Sequence, residues 1–180
     1  MKVSDTEIPD VKIIEPTVYE DERGYFFEAY NAQKFEELMG FCPNFCQSNE
    51  SYSKKGTIRG LHLQKEPFSQ AKLVRVVAGE VHDVVVDCRV NSPSFGKHTS
   101  ITLTAENRRQ LWIPEGFAHG FQVLSDGCVF NYQVTSKYCS AAEVTINPFD
   151  ETLQVNWVPN IDVVISDKDH TGTSFLSAPI

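Results

Sequence analysis

The stretch "KLVRVVAGEVHDVVVDCRV", Lys72 to Val90, constrains the fold more than any other. Its apolar residues follow the two-residue period of a pleated strand, and two such runs are divided by "AGE" in the manner of a tight hairpin. Similar short runs recur at "YFFEAY", "SITLTA", "QLWIPEG", "GFQVL" and "VFNYQVT", each bounded by Gly, Pro, Asn or Asp. Strands without long intervening helices favour an antiparallel sandwich or barrel over alternating βαβ units. The expectation is an all-β jelly roll. A chain of 180 residues fits a single domain, residues 1–180, with one sizeable core.

Two peripheral helices are expected. Asn31 can cap "AQKFEELM", whose Phe35, Leu38 and Met39 share a face, and Gly40 can end it. Asn147 followed by Pro148 can start a second, short helix. The final "TGTSFLSAPI" has the composition of a loosely held tail.

A net charge of −8 disfavours attraction to nucleic acid or to anionic membranes, so an anionic ligand would need a local basic pocket. The N-terminal "MKVSDTEIPD" lacks a signal-peptide core and no apolar run has the length of a membrane span, which predicts a cytoplasmic protein. The five cysteines, Cys42, Cys46, Cys88, Cys128 and Cys139, are odd in number and form no C-x-x-C pair. They read as reduced structural thiols. Cys42 and Cys46 lack the second pair that a zinc site of the usual spacing requires.

Against this background "TIRGLHLQ", Thr57 to Gln64, is anomalous, because it sets His62 between Leu61 and Leu63 in an otherwise buried strand. An unpartnered polar group there would cost several kcal/mol. A second imidazole, His119, follows the Pro114–Gly116 turn in "IPEGFAHGF". The spacing of proline, glycine and histidine resembles the second motif of the cupin superfamily. Metal-binding cupins take two histidines and a glutamate from their first motif; here Gln64 stands at the second histidine position, and no glutamate occupies the required place. An amide is a poor ligand for zinc or iron, so the expectation is a cupin barrel without a metal.

Closer matches run in order along nearly the whole chain: "DERGYFFEAYN", "RGLHLQ", "QAKLVRV", "DVVVDCR", "SPSFG", "IPEGFAHGF" and "SDKD". Together they resemble the dTDP-4-dehydrorhamnose 3,5-epimerase family. That resemblance implies cofactor-free inversion of C3 and C5 in a dTDP-linked 4-keto-6-deoxy sugar, in deoxysugar biosynthesis of the L-rhamnose type. Both carbons flank the C4 ketone, so enolate formation acidifies their protons. His62 resembles the family's general base, and imidazole titrates near neutrality. Asp169 resembles the carboxylate that orients the base and stabilises its imidazolium. Lys72 matches the lysine facing the C4 oxygen, and Tyr132 the phenol that returns a proton from the opposite face.

The same resemblance places His119 as a further active-site histidine, and Arg23, Arg59 and Lys168 at the diphosphate. It places Phe26, Glu28, Gln47, Asn49 and Tyr138 around the nucleotide, and adds Glu143 to the substrate-binding set. It also implies a homodimer that exchanges N-terminal strands, so that Arg23, Phe26 and Glu28 serve the partner's site. Taken one at a time, Lys72, Arg59 and Tyr132 equally suit strand residues with exposed heads, and both histidines suit structural roles. Gly60 alone suits a bulge, and Asp169 a helix start. His82, His98 and His170 match no family position and read as surface residues. Ser48 in "QSN" and the neighbours Asn131 and Gln133 of Tyr132 depart from the family pattern. Those departures leave open the nucleotide and whether one or both centres invert; a non-catalytic sugar-binding cupin module is the alternative from another class.

Overall fold

The structure, a computed structural model, describes residues 1–180. Its strands are β1 (Lys2–Asp5), β2 (Lys12–Glu15), β3 (Val18–Asp21), β4 (Gly24–Phe27), β5 (Gln47–Lys54), β6 (Thr57–Gln64), β7 (Lys72–Ala78), β8 (Glu80–Asp87), β9 (His98–Thr104), β10 (Gln110–Ile113), β11 (Phe117–Val123), β12 (Gly127–Val134), β13 (Glu143–Thr145) and β14 (Val164–Ile165). One sheet runs β1-β2-β10-β7-β12-β5, and the facing sheet runs β13-β6-β11-β8-β9 with β14 added in parallel to β6. The β3–β4 hairpin stands apart as a two-stranded ribbon. This is the expected all-β jelly roll.

The period-two pattern explains how one chain covers both sheets. Val74 and Val76 of β7 meet Val81 and Val85 of β8 in the inner core, with Phe117, Phe121 and Phe130. Alternate residues Val84 and Val86 point to the outer face of their sheet, where Leu61, Leu63, Ile146, Leu153 and Phe175 cover them. At β8 the sheet is thus buried on both sides, which explains the continuous apolar run Val84–Val86. Ile14, Leu73 and Trp112 form a third cluster outside the other sheet, closed by Phe35.

The "AGE" segment is not a hairpin turn. Strand β7 pairs with β10 and β12, whereas β8 pairs with β9 and β11, so Gly79 carries the chain from one sheet to the other. Its φ of 86° suits glycine, and a Cβ there would lie 2.2 Å from the Gly127 carbonyl oxygen. Alternation reads the same on either side of a turn or of a crossover, because it reports faces and not partners.

Helix α1 (Ala32–Met39) forms as expected: the Asn31 side chain accepts from the Lys34 amide, and Gly40 closes it at φ 81°. No helix starts at Asn147–Pro148; the Asn147 side chain instead accepts from the Phe149 amide in a turn. The second α-helix, α2 (Asp167–His170), begins at Ser166, whose hydroxyl accepts from the Asp169 amide. The tail is also firmly packed: Phe175 is 2% exposed, and its amide donates to the buried Asp150. No helix is long and apolar enough to cross a membrane. All five cysteines are free; Cys88 and Cys128 are buried, while Cys42 and Cys46 are exposed and so are not core thiols. His170 is exposed, but His82 is half-buried beside Trp157 with its Nε2 enclosed and unpartnered, which corrects its reading as a surface residue.

Candidate active site

At one end of the sandwich the inner faces part to form a cavity of about 240 Å³. One sheet contributes Ser51, Lys72, Phe130 and Tyr132. The other contributes Arg59, His62, Gln64, His119, Phe121 and Glu143, and Tyr138 stands at the rim. In an ordinary strand Arg59 and His62, three residues apart, would face opposite sides. Here the β6–β11 register slips: His62 pairs with His119, but Arg59 pairs with Phe121, so Gly60 and Leu61 together oppose Gly120. That bulge turns both polar side chains inward. It needs two glycines, because a Cβ on Gly60 would lie 2.6 Å from the Gly120 Cα, and one on Gly120 would lie 2.6 Å from the Arg59 carbonyl oxygen.

His62 is part-buried, its side chain 30% exposed toward the cavity, and its partner is the buried Asp169. His62 Nε2 lies 2.6 Å from Asp169 Oδ1, and α2 holds the carboxylate with the Ser166 cap and a long contact of 3.5 Å from the Gly60 amide. Burial pushes the Asp169 pKa up, but the bond to His62, its charge and the contacts from Gly60 and Ser166 together outweigh it and leave the carboxyl below its usual value. With Nε2 committed to the carboxylate, Nδ1 is the nitrogen left to exchange a proton. His119 forms a second pair, its Nε2 2.9 and 3.0 Å from the two oxygens of the fully buried Asp83. Burial nevertheless holds the His119 pKa below that of free imidazole, so this ring is neutral near pH 7.

Lys72 is buried and donates weakly to the His62 carbonyl at 3.4 Å. Burial lowers its pKa to about 8, with Asp83 and Glu143 drawing it back upward, so it remains a cation at neutral pH. Burial raises the Tyr132 pKa, opposed in part by the charge of Arg59, so the phenol keeps its proton. At the mouth, Glu143 accepts from Lys168 at 2.7 Å and from the Tyr138 hydroxyl at 2.9 Å. Burial raises the Glu143 pKa, but those two bonds prevail and hold it ionised.

The structure brings His62, Lys72, Tyr132, His119, Arg59, Tyr138 and Glu143 around one cavity, with Asp169 directly behind His62. Lys168 sits at the rim, engaged with Glu143. Asn49 is paired opposite Tyr132 and Gln47 opposite Val134, and their side chains bond each other at 2.7 Å. Gln47, Asn49 and Lys168 do not line the cavity themselves, and three more predicted residues lie elsewhere in their own chain. Arg23 is exposed and ion-paired with Asp21, Phe26 is 65% exposed, and Glu28 is bound to Lys34 and Asn31 at the base of the hairpin. Asp83 was missed as a site residue by sequence reasoning. Its signal was an acid placed among Val81, Val84 and Val85, a position that demands a buried partner.

The family model for dTDP-4-dehydrorhamnose 3,5-epimerase matches residues 5–177. The chain belongs to that family. It is 52% identical over 178 residues to the epimerase of that name from Shigella flexneri, covering 99% of this chain and 98% of the relative. A crystal structure of the 3,5-epimerase from Legionella pneumophila, in complex with dTDP-4-keto-L-rhamnose, superposes with a TM-score of 0.94 at 45% identity, over 98% of this chain and 93% of that one. A 3'-monoepimerase from Streptomyces bikiniensis, in complex with dTDP-quinovose, superposes with a TM-score of 0.91 at 30% identity, over 96% and 87% of the two chains. Membership makes this chain an isomerase of the epimerase type, and the fold it adopts is the family's cupin jelly roll.

Proposed function

We propose that this chain inverts C3 and C5 of a dTDP-linked 4-keto-6-deoxyhexose through a single proton-transfer apparatus. The observation that carries this reading is the placement of His62, paired with Asp169 of α2, on one sheet and of Lys72 and Tyr132 on the sheet facing it. A sugar ring between the sheets presents one face to the imidazole and the other to the phenol. His62 removes the proton from the carbon next to the ketone, and the bond electrons move into the C4 carbonyl as an enolate. Lys72 stabilises the oxygen charge, and Asp169 stabilises the imidazolium. Tyr132 then returns a proton to the carbon from the opposite face. His62 then gives its proton to solvent and Tyr132 regains one from solvent, and the restored pair repeats the step at the second carbon. Proton removal and return leave the oxidation state unchanged, so the chemistry calls for no redox cofactor.

Arg59 and Lys168 are assigned to the diphosphate, and Gln47, Asn49, Tyr138 and Glu143 to the nucleotide end. A second copy of the chain supplies Arg23, Phe26 and Glu28 by exchanging N-terminal strands; their distance from the cavity of their own chain and the exposure of Phe26 support this. The five free thiols support a cytoplasmic setting. The test is incubation of the 4-keto-6-deoxy sugar nucleotide in deuterated water, following C3 and C5 by NMR. Wild-type protein should wash deuterium into both positions and invert both. His62→Ala should lose at least about a hundredfold of the exchange while keeping its fold and dTDP binding. Exchange at the wild-type rate in that variant would show that the base lies elsewhere, and inversion at one carbon would place the chain with the monoepimerases.

A further inference from the structure

Gln64 stands where metal-binding cupins carry a histidine, yet its side chain has a different use. The residue is 6% exposed, and its Nε2 donates to the Phe68 carbonyl at 2.6 Å and to the Lys137 carbonyl at 3.2 Å. Its Oε1 accepts from the Cys139 amide at 2.7 Å. Both amide protons are therefore used, and the carbonyl is engaged as well. From Ser136 to the Cys139 amide, the backbone has no hydrogen bond to other backbone; its protein partners are the side chains of Gln64 and of Gln70, whose Nε2 reaches the Ser136 carbonyl at 2.7 Å. This segment carries Tyr138 to the cavity mouth, where its hydroxyl meets Glu143.

We propose that Gln64 is a positioning residue that acts through Tyr138: by pinning Lys137 and Cys139 on either side of it, the carboxamide holds the ring over the cavity mouth, where it contacts the nucleotide end of the substrate. The assignment of that end rests on the epimerase reading above. A short loop without backbone pairing is a low-stability segment, and its ordering would otherwise be charged to each binding event. Gln64 meets that cost when the chain folds. Gln64 lines the cavity wall, while His62, two residues earlier, keeps its own partner, Asp169. Loss of the carboxamide should therefore damage substrate binding far more than the proton transfers.

Steady-state kinetics and dTDP calorimetry on wild type, Gln64→Leu, Tyr138→Ala and the double variant test this. Gln64→Leu should raise KM and weaken dTDP binding by at least about tenfold, with kcat within about threefold of wild type. The double variant should bind no worse than Tyr138→Ala alone, because both changes remove one contact. A purely structural glutamine would instead give additive losses, or a fall in kcat at unchanged KM, and either result overturns the proposal. If circular dichroism shows Gln64→Leu unfolded, Gln64→Glu keeps the volume and the acceptor for Cys139 but turns an acceptor against the Phe68 and Lys137 carbonyls; the same shifts and the same coupling to Tyr138 are expected. Gln64-dependent dTDP binding without turnover would sink the epimerase reading and keep this one. Turnover with a Gln64-independent KM would do the reverse.

Discussion

Tyr132 brings a phenol into the cavity from the sheet opposite His62, and the two residues differ in what each alone can do. A base can remove a proton and return it on the same face, so exchange needs the imidazole, but inversion needs a donor across the ring. Tyr132→Phe keeps the ring and its packing against Phe130. It should retain part of the deuterium wash-in while lowering inverted product by about a hundredfold, with C5 the more affected centre. Doubly inverted sugar at the wild-type rate, measured by NMR, would assign the acid to another group. How much of this site was legible follows the same residues. The anomaly of His62 between two leucines announced a buried partner, but Asp169 lies 107 positions away, and only a family resemblance could name it. The inward turn of Arg59 depended on the bulge at Gly60, which sequence offered only as one reading of a lone glycine. Asp83 is plain once its strand is known to be buried on both faces.

At the scale of elements, local signals worked where an element ends on its own chemistry and failed where tertiary packing decides. The Asn31 cap and the Gly40 stop define α1 within the chain itself. The "AGE" crossover and the tail are settled by what lies across from them. In the tail, Phe175 tilts against Phe95 at a ring separation of 5.0 Å and helps seal the outer face of the β8 sheet. Polar neighbours concealed a single aromatic anchor. Phe175→Ala should cost about 3 kcal/mol, the usual loss for a buried phenylalanine, and urea denaturation should show it as a lower midpoint. A loosely held tail would instead give a change below about 0.5 kcal/mol.

For the molecule as a whole, the "DVVVDCR" and "SPSFG" motifs converge on one clamp at the end of β8. Asp87 accepts from Arg89 at 2.7 and 2.9 Å and from Ser92 and Ser94 at 2.6 Å, while the Arg89 guanidinium lies 4.4 Å from the Phe117 ring centre. Burial pushes the Asp87 pKa up, but these bonds outweigh it and bring it down to about 2. A folded-state pKa below the unfolded value stabilises the protein above roughly pH 4, and that stability is lost as pH falls toward about 2. Asp87→Asn should lower stability at pH 7 and flatten the acid limb of a thermal-denaturation profile between those values; an unchanged slope would show that the carboxylate is not a source of the acid sensitivity. The jelly roll itself was legible from alternation because half of each strand must face the core, whereas the pairing order was not, because many orders satisfy the same pattern. The facing sheets have one more consequence. Sandwich sheets keep a spacing of about 10 Å, so the gap between His62 and Tyr132 is set by the packing of Phe121 and Phe130 beside them, not by loops. Such a slot gauges the thickness of its guest, because strands hydrogen-bonded along their length do not spread as a loop does.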